Sequence, residues 1–282
     1  MENRNQKNLI ALEIKSLIDM KKLRILIIIL LAIVSALSAK AYNNTYAVIA
    51  AVADYKYFTR ESGDLTYTIA DAVAFSNFLK SSKGGGVPSS NIVLLTDANA
   101  SKQNIIAKAK VLFARARKDD RVIFFFSGHG SKGYFLPYDA TSYGGNMLYF
   151  SEIKEIFRCA KCDTKLLFGD ACFSGSMKKN LSAQMQQSIS AGAKTASSMN
   201  IAVMMSCSEN EYSIESSSLG HGLFTYYLMQ GLGGKANRDG NKYITIQELF
   251  YYVHKNVRAG SGNSQTPVLF GKFDLRLIVG KV

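Results

Sequence analysis

The sequence predicts an α/β fold of three layers, a mostly parallel central sheet flanked by helices. Three observations predict it. Strand-like runs such as VIFFF (122–126) are apolar throughout, the pattern of strands covered on both faces. These runs alternate with segments whose apolar residues recur at helical spacing. A chain of 282 residues, 48% hydrophobic and with only three prolines, can bury one full core and carry a tail.

The first forty residues differ from the rest. From Met20 the chain reads MKKLRILIIILLAIVSALSAKAYNN: a basic start at Lys21, Lys22 and Arg24, an apolar run over 25–34, then small residues. This is the layout of a secretory signal peptide cleaved after Ala41, and the apolar run is short for a membrane span. The chain therefore reads as a signal peptide over 1–41, with translation starting at Met20, and one globular domain over 42–282. Export to the periplasm or beyond follows, with no membrane span left after signal removal. An uncleaved signal anchor is the competing reading.

The globular elements follow in order. TYAVIAAVADY (45–55) is a β-rich apolar run, and TIADAVAFSNFLKSS (68–82) sets Ile69, Val73, Phe75, Phe78 and Leu79 at helical spacing. GGGVPSS (84–90) breaks the chain before a second strand, NIVLLTD (91–97). A helix over 101–118, with Ser101 as its cap, carries Ile105, Ile106, Ala109, Leu112 and Phe113 on one face. DRVIFFFSG (120–128) and KLLFGD (165–170) are the third and fourth strands, with the helical FSEIKEIFRC (150–159) between them. From 174 to 200 the composition turns to Ser, Ala, Gln, Lys and Met without strand signal or firm periodicity, which reads as a functional or disordered loop. IAVMMSCS (201–208) resumes as a fifth strand. Two amphipathic segments, GLFTYYLMQGL and TIQELFYYVHKNV, precede a last strand at TPVLFG (266–271). No internal repeat is present.

The formal charge is +13, and loss of residues 1–41, with seven Lys/Arg and three Asp/Glu, leaves +9. The lysines are scattered and no basic stripe is interleaved with aromatics, so a basic exported protein is expected and no nucleic-acid partner. Of the four cysteines, Cys159 and Cys162 in CAKC admit either a tight disulfide or two buried thiols. No second Cys or His pair completes a structural zinc site. No metal ligands are assigned, and the pairing of Cys207 is open.

Chemistry concentrates at two strand ends. His129 follows the third strand in SGHGS, and Cys172 follows the fourth in DACFSG. In an open parallel sheet ligands gather at the carboxyl ends of strands. If the two strands are neighbours, the thiol meets the imidazole there. Thiolate is the nucleophile, and a free cysteine with a pKa of about 8.5 is mostly protonated at neutral pH. An adjacent imidazole takes that proton and later returns it to the leaving amine. The N–H groups of Gly130 and Cys172 would form an oxyanion hole, worth roughly 3 to 4 kcal/mol per donor. His221, in a second GHG, reads as a helix start, and His254 lies in an amphipathic helix. No cofactor is needed.

FFFSGHGSKGYFLPYDA, followed 43 residues beyond His129 by DACFSG, resembles the catalytic halves of caspase-like cysteine peptidases, most closely the bacterial metacaspase-like branch. SCSENEYSIE, GHGLFTYYL and QTPVLFG resemble the small-subunit half, so the likeness spans about residues 45–272. It implies a central mixed sheet flanked by helices, His129 and Cys172 as the dyad, and cleavage after Arg or Lys. Asp170 and Asp71 match the two carboxylates of the acidic substrate pocket, which would clamp a guanidinium or ammonium. The alternative for Asp71 is a first-turn acid favoured by the helix dipole.

The departures are Phe173 where the family usually has His, and Thr68 and Ala70 where it has Cys and Asn. Calcium-dependent members carry acids after the nucleophile, whereas residues 171–208 contain no Asp or Glu. NRDGNKYITIQEL (237–249) faintly resembles a calcium loop, with the register displaced by two. Relatives are often nicked in the loop after the nucleophile, so Lys178, Lys179 and Lys194 are the autocleavage candidates. The expected function is an exported cysteine endopeptidase acting on proteins or peptides with basic residues. The alternative is a catalytically weak scaffold that binds basic peptides or partner proteins.

Overall fold

The structure is a computed structural model that describes residues 20, 22–23, 42–58, 64–131, 133–171, 201–208 and 211–282. The chain divides into two compact units, Met1–Lys40 and Ala41–Val282. Of the first, only Met20, Lys22 and Leu23 are described, in helical backbone. The proposed signal segment and its cleavage point otherwise lie outside the described residues. Among the described residues no helix is long and apolar enough to cross a membrane.

The second unit begins with β1 (Thr45–Ala51), α1 (Thr68–Lys80), β2 (Ile92–Thr96), α2 (Lys102–Phe113) and β3 (Arg121–Ser127). Three short strands follow, β4 (Gly130–Ser131), β5 (Tyr134–Phe135) and β6 (Leu148–Tyr149), then α3 (Phe150–Arg158) and β7 (Thr164–Asp170). After the undescribed segment come β8 (Ala202–Met205), the paired β9 (Glu215–Ser216) and β10 (His221–Gly222), and α4 (Leu223–Gln230). The last elements are β11 (Tyr243–Thr245), α5 (Ile246–Gly260), β12 (Val268–Gly271) and β13 (Ile278–Lys281). The main sheet has six strands in the order β12-β8-β7-β3-β1-β2, all parallel except β12. This is the expected three-layer sandwich. The small ribbons β4-β5-β6, β9-β10 and β11-β13 were not apparent in the sequence pattern.

β3 shows why its sequence is apolar without alternation. Val122, Phe124 and Phe126 pack against the layer containing α2 and α3, while Ile123 and Phe125 pack against α1, α4 and α5. All five are at most 1% exposed. Phe125 stacks on Phe75 of α1 with ring centroids 4.6 Å apart, and burying one such ring stabilises the fold by about 2 to 3 kcal/mol. Ser101 sits at the N-cap of α2 as expected, but its hydroxyl makes no capping bond. The Lys102 N–H instead donates to Asp139 Oδ1 at 2.8 Å, a partner too distant in sequence to foresee.

At the amino end of the sheet Arg121 is 2% exposed. Its guanidinium donates to Thr45 Oγ1 (3.0 and 3.2 Å) and to the Val279 carbonyl, and lies 3.7 Å from the Tyr42 ring centre. The charge thereby ties β3 to β1 and β13 and faces an aromatic ring.

Candidate active site

β2 and β3 flank β1 on opposite sides, so the strand order reverses at β1. In open α/β sheets the crevice beyond the carboxyl ends at such a point takes the ligand. Ser127, the last residue of β3, pairs with Ala51 of β1 and Asp170 of β7, so three strands end level. The Gly128 N–H donates to the Asp170 carbonyl, and the Val52 N–H to the Ser127 carbonyl, each at 3.1 Å. His129 thus emerges one residue beyond the bond that joins β3 to Asp170.

Tyr55 holds His129 in place. The His129 N–H donates to the Tyr55 hydroxyl at 2.6 Å, and the two rings lie 5.1 Å apart at 31°. Tyr55 is buried. A Cβ at Gly128 would lie 2.7 Å from the Tyr55 oxygen, so the bare backbone beside the histidine is what admits this bond. Tyr55→Phe is expected to lower stability by about 1 to 2 kcal/mol, because the His129 N–H loses its acceptor. Thermal unfolding checks this, and an unchanged midpoint would refute it.

His129, Asp71 and Asp170 line a single small cavity of about 50 Å³ with Ser127, Ser213 and Glu215 among its other walls. Asp71 is 1% exposed and stands in the first turn of α1. Its oxygens face the start of α4: the Gly222 N–H reaches them at 3.1 and 3.2 Å, and His221 Nδ1 lies 2.8 Å from Oδ1. Asp170 Oδ1 accepts a short bond from the Ser213 hydroxyl. Its Oδ2 accepts from the Thr225 N–H (3.1 Å) and hydroxyl (2.6 Å). A Cβ on Gly222 would lie 2.5 Å from Asp170 Oδ2 and 2.8 Å from Asp71 Oδ2, so this glycine is required where two carboxyls crowd one point.

Burial disfavours the ionised form of both acids. It pushes the Asp71 carboxyl up, with the neighbouring Asp170 charge adding to the effect, to about 9. Asp170 is also raised by burial, against the opposing bonds from Ser213 and Thr225. Burial thus biases both acids toward the protonated form.

Glu215 is a third carboxylate on this cavity, and sequence reasoning missed it. It accepts from the Thr66 N–H (3.0 and 3.1 Å) and the Tyr67 N–H (2.7 Å), at the start of α1. Only the ribbon β9-β10 brings it there, and two-residue strands leave no periodic signal. Thr68, one of the departures from the family pattern, lines the cavity and donates its hydroxyl to the Val52 carbonyl at 3.0 Å.

Cys172, Phe173, Lys178, Lys179 and Lys194 lie outside the described residues. Ala171, which precedes Cys172 in the chain, is buried, and its N–H donates to the Ser206 hydroxyl at 3.1 Å. Gly130 opens β4 opposite Phe135, partly exposed. His221 does precede a helix, as read from sequence, but its bond to Asp71 was not foreseen. His254 Nδ1 lies 2.9 Å from the Pro267 carbonyl, a packing role.

Cys159 and Cys162 of CAKC are not joined by a disulfide; Cys162 is buried, as the second reading expects, whereas Cys159 is half-buried. Burial pushes the Cys162 thiol up to about 11, so it stays protonated. In the calcium-like loop, Glu248 is engaged by Thr245 in the capping box of α5 and by the Arg238 N–H at 3.1 Å. Among the described residues no group of three or more His, Cys, Asp or Glu side chains is placed to hold a metal ion.

The domain is therefore a three-layer α/β domain that brings a histidine and two buried carboxyls together at the carboxyl edge of its sheet. This chain belongs to the caspase domain family, whose model matches residues 44–276, and that family is one of cysteine peptidases. The fold is also similar to that of a solved protein of Geobacter sulfurreducens, GSU0716. The two are 16% identical, the match covers 85% of this chain and 98% of that one, and the TM-score is 0.59. No curated protein matches in sequence.

Proposed function

We propose that the protein is an exported cysteine endopeptidase that cleaves after Lys or Arg, with Cys172 as nucleophile and His129 as general base. The observation that supports this reading is the convergence of His129, Asp71 and Asp170 on one cavity at the sheet's carboxyl edge. In the first half-reaction His129 takes the thiol proton and the Cys172 sulfur attacks the scissile carbonyl. The C–N bond then breaks, the leaving amine receives that proton, and a thioester remains. In the second half, water gives a proton to His129 and its oxygen to the acyl carbon; the C–S bond breaks, the sulfur takes the proton back from His129, and the carboxylic acid product leaves. Gly130 and Cys172 N–H groups would meet the oxyanion. Asp71 and Asp170, ionised by the incoming cation, would hold the basic side chain of the substrate. No cofactor enters this scheme. Self-cleavage at Lys178, Lys179 or Lys194 fits the same specificity, because these lysines follow the nucleophile in an acid-free stretch.

The test uses fluorogenic peptides ending in Arg, Lys or Asp, with and without iodoacetamide, on the wild type and Cys172→Ala. Hydrolysis of the Arg and Lys peptides alone, abolished by the alkylator and by the substitution, is expected. Binding of the basic peptides without turnover would favour the scaffold reading. N-terminal sequencing of both preparations reports signal removal and any internal nick. Equal fragmentation of the two would end the self-cleavage idea.

A further inference from the structure

Of the three histidines, His129 serves the proposed chemistry and His254 packs against a carbonyl. His221 has no role in the scheme so far. It lies in β10, held opposite Ser216 by the ribbon, and its side chain is 22% exposed while the side chain of Asp71 is 2% exposed. Its Nδ1 is 2.8 Å from Asp71 Oδ1, so the ring bridges a buried carboxyl and the outside. Burial holds the imidazole below its ordinary value, which favours the neutral ring at physiological pH. Around Asp71 the other titratable groups among the described residues are Asp170 on β7, Glu215 on β9 and His129 beyond β3, all on the same cavity.

Resting on the reading of this cavity as a pocket for a basic side chain, we propose that His221 is a positioning residue that orients the Asp71 carboxyl by a direct hydrogen bond and accepts its proton when the substrate's cation enters. The step balances. The O–H bond of the Asp71 carboxylic acid breaks, an N–H bond forms at His221 Nδ1, and the resulting carboxylate faces the cation. The partly exposed imidazolium then releases the proton to solvent. The Gly222 N–H can donate to Asp71 but cannot take a proton, whereas the neutral His221 ring nitrogen can.

The test measures kcat and KM on an Arg peptide from pH 6 to 9.5 for the full-length wild type, His221→Ala and His221→Asn, with the rate of Cys172 alkylation by iodoacetamide as a pocket-independent readout. His221→Ala is expected to raise KM about 30-fold, the scale of a lost hydrogen bond to a charged group, with kcat within about threefold and alkylation unchanged. Asn keeps an N–H donor for Asp71 but accepts no proton. It is therefore expected to restore KM above pH 9 and not at pH 6 to 7. An unchanged KM in the Ala variant, rescue by Asn equal at all pH values, or alkylation that slows as KM rises would each overturn the proposal. Should the Ala variant fail to fold, the pH dependence of the Asn variant decides alone. A wild type without thiol-dependent hydrolysis of basic peptides would instead overturn the pocket reading itself, and this proposal with it.

Discussion

His129→Ala is expected to lower kcat/KM on basic peptides by about a thousandfold, the contribution of a well-placed general base. The ring is fixed from two directions, by the Tyr55 hydroxyl on its backbone and the Tyr55 ring on its face, so it is presented without a search through conformers. Removing it leaves Cys172 to ionise unaided. A free thiol does so near pH 8.5, so the residual kcat of the variant should climb between pH 7 and 9 while the kcat of the wild type does not. Steady-state kinetics across that range, paired with alkylation rates, check both parts. A variant that keeps wild-type turnover at pH 7 would remove His129 from the mechanism.

The second large effect concerns the pocket's charge. Asp71 holds its proton up to about pH 9 in the empty cavity, while a bound cation needs the carboxylate. Binding below that pH must expel a proton, so affinity for a cation should rise with pH, by up to about tenfold per unit, and level off near 9. Benzamidine, which offers an amidinium and no cleavable bond, isolates this term from the chemistry. Its Kd should tighten from pH 6 to 9 in the wild type and do so less steeply in Asp71→Asn, where only Asp170 is left to lose a proton. The substitution separates Asp71 from His129, His221 and the thiol, which remain in place. Linkage gives the matching sign for the fold. A carboxyl raised by burial favours the folded state at low pH, and that advantage is lost as pH climbs through the folded value. Stability of the wild type relative to Asp71→Asn should therefore decline between about pH 4 and 9. An identical pH dependence of benzamidine binding in the two proteins would refute the assignment.

What the sequence disclosed follows from the range of the forces involved. β1, β3 and β7 were legible because burial on both faces demands unbroken apolar runs, and α5 because its apolar stripe is local. Asp71 and Asp170 were reached through resemblance at positions next to strong patterns. Tyr55 meets His129 from 74 residues away, and His221 meets Asp71 from 150. Such pairs leave no trace in spacing, since nothing in a neighbouring residue depends on them. The ribbon that carries Glu215 and Gly222 to the cavity is two residues per strand, shorter than any period that could announce it. The pairing of β13 with β11 escaped for a similar reason, because a bulge interrupts the register between Ile244 and Thr245.

The buried guanidinium at the sheet's other end sets a limit on how the chain can be trimmed. Its aromatic cover is Tyr42, the residue that would become the new amino terminus if the leader is removed after Ala41. A processing enzyme that cut one bond further along would uncap a cation lodged between β1 and β13. A cut after Ala41 would spare the ring that covers the charge, and a cut after Tyr42 would leave β3 with a bare buried cation.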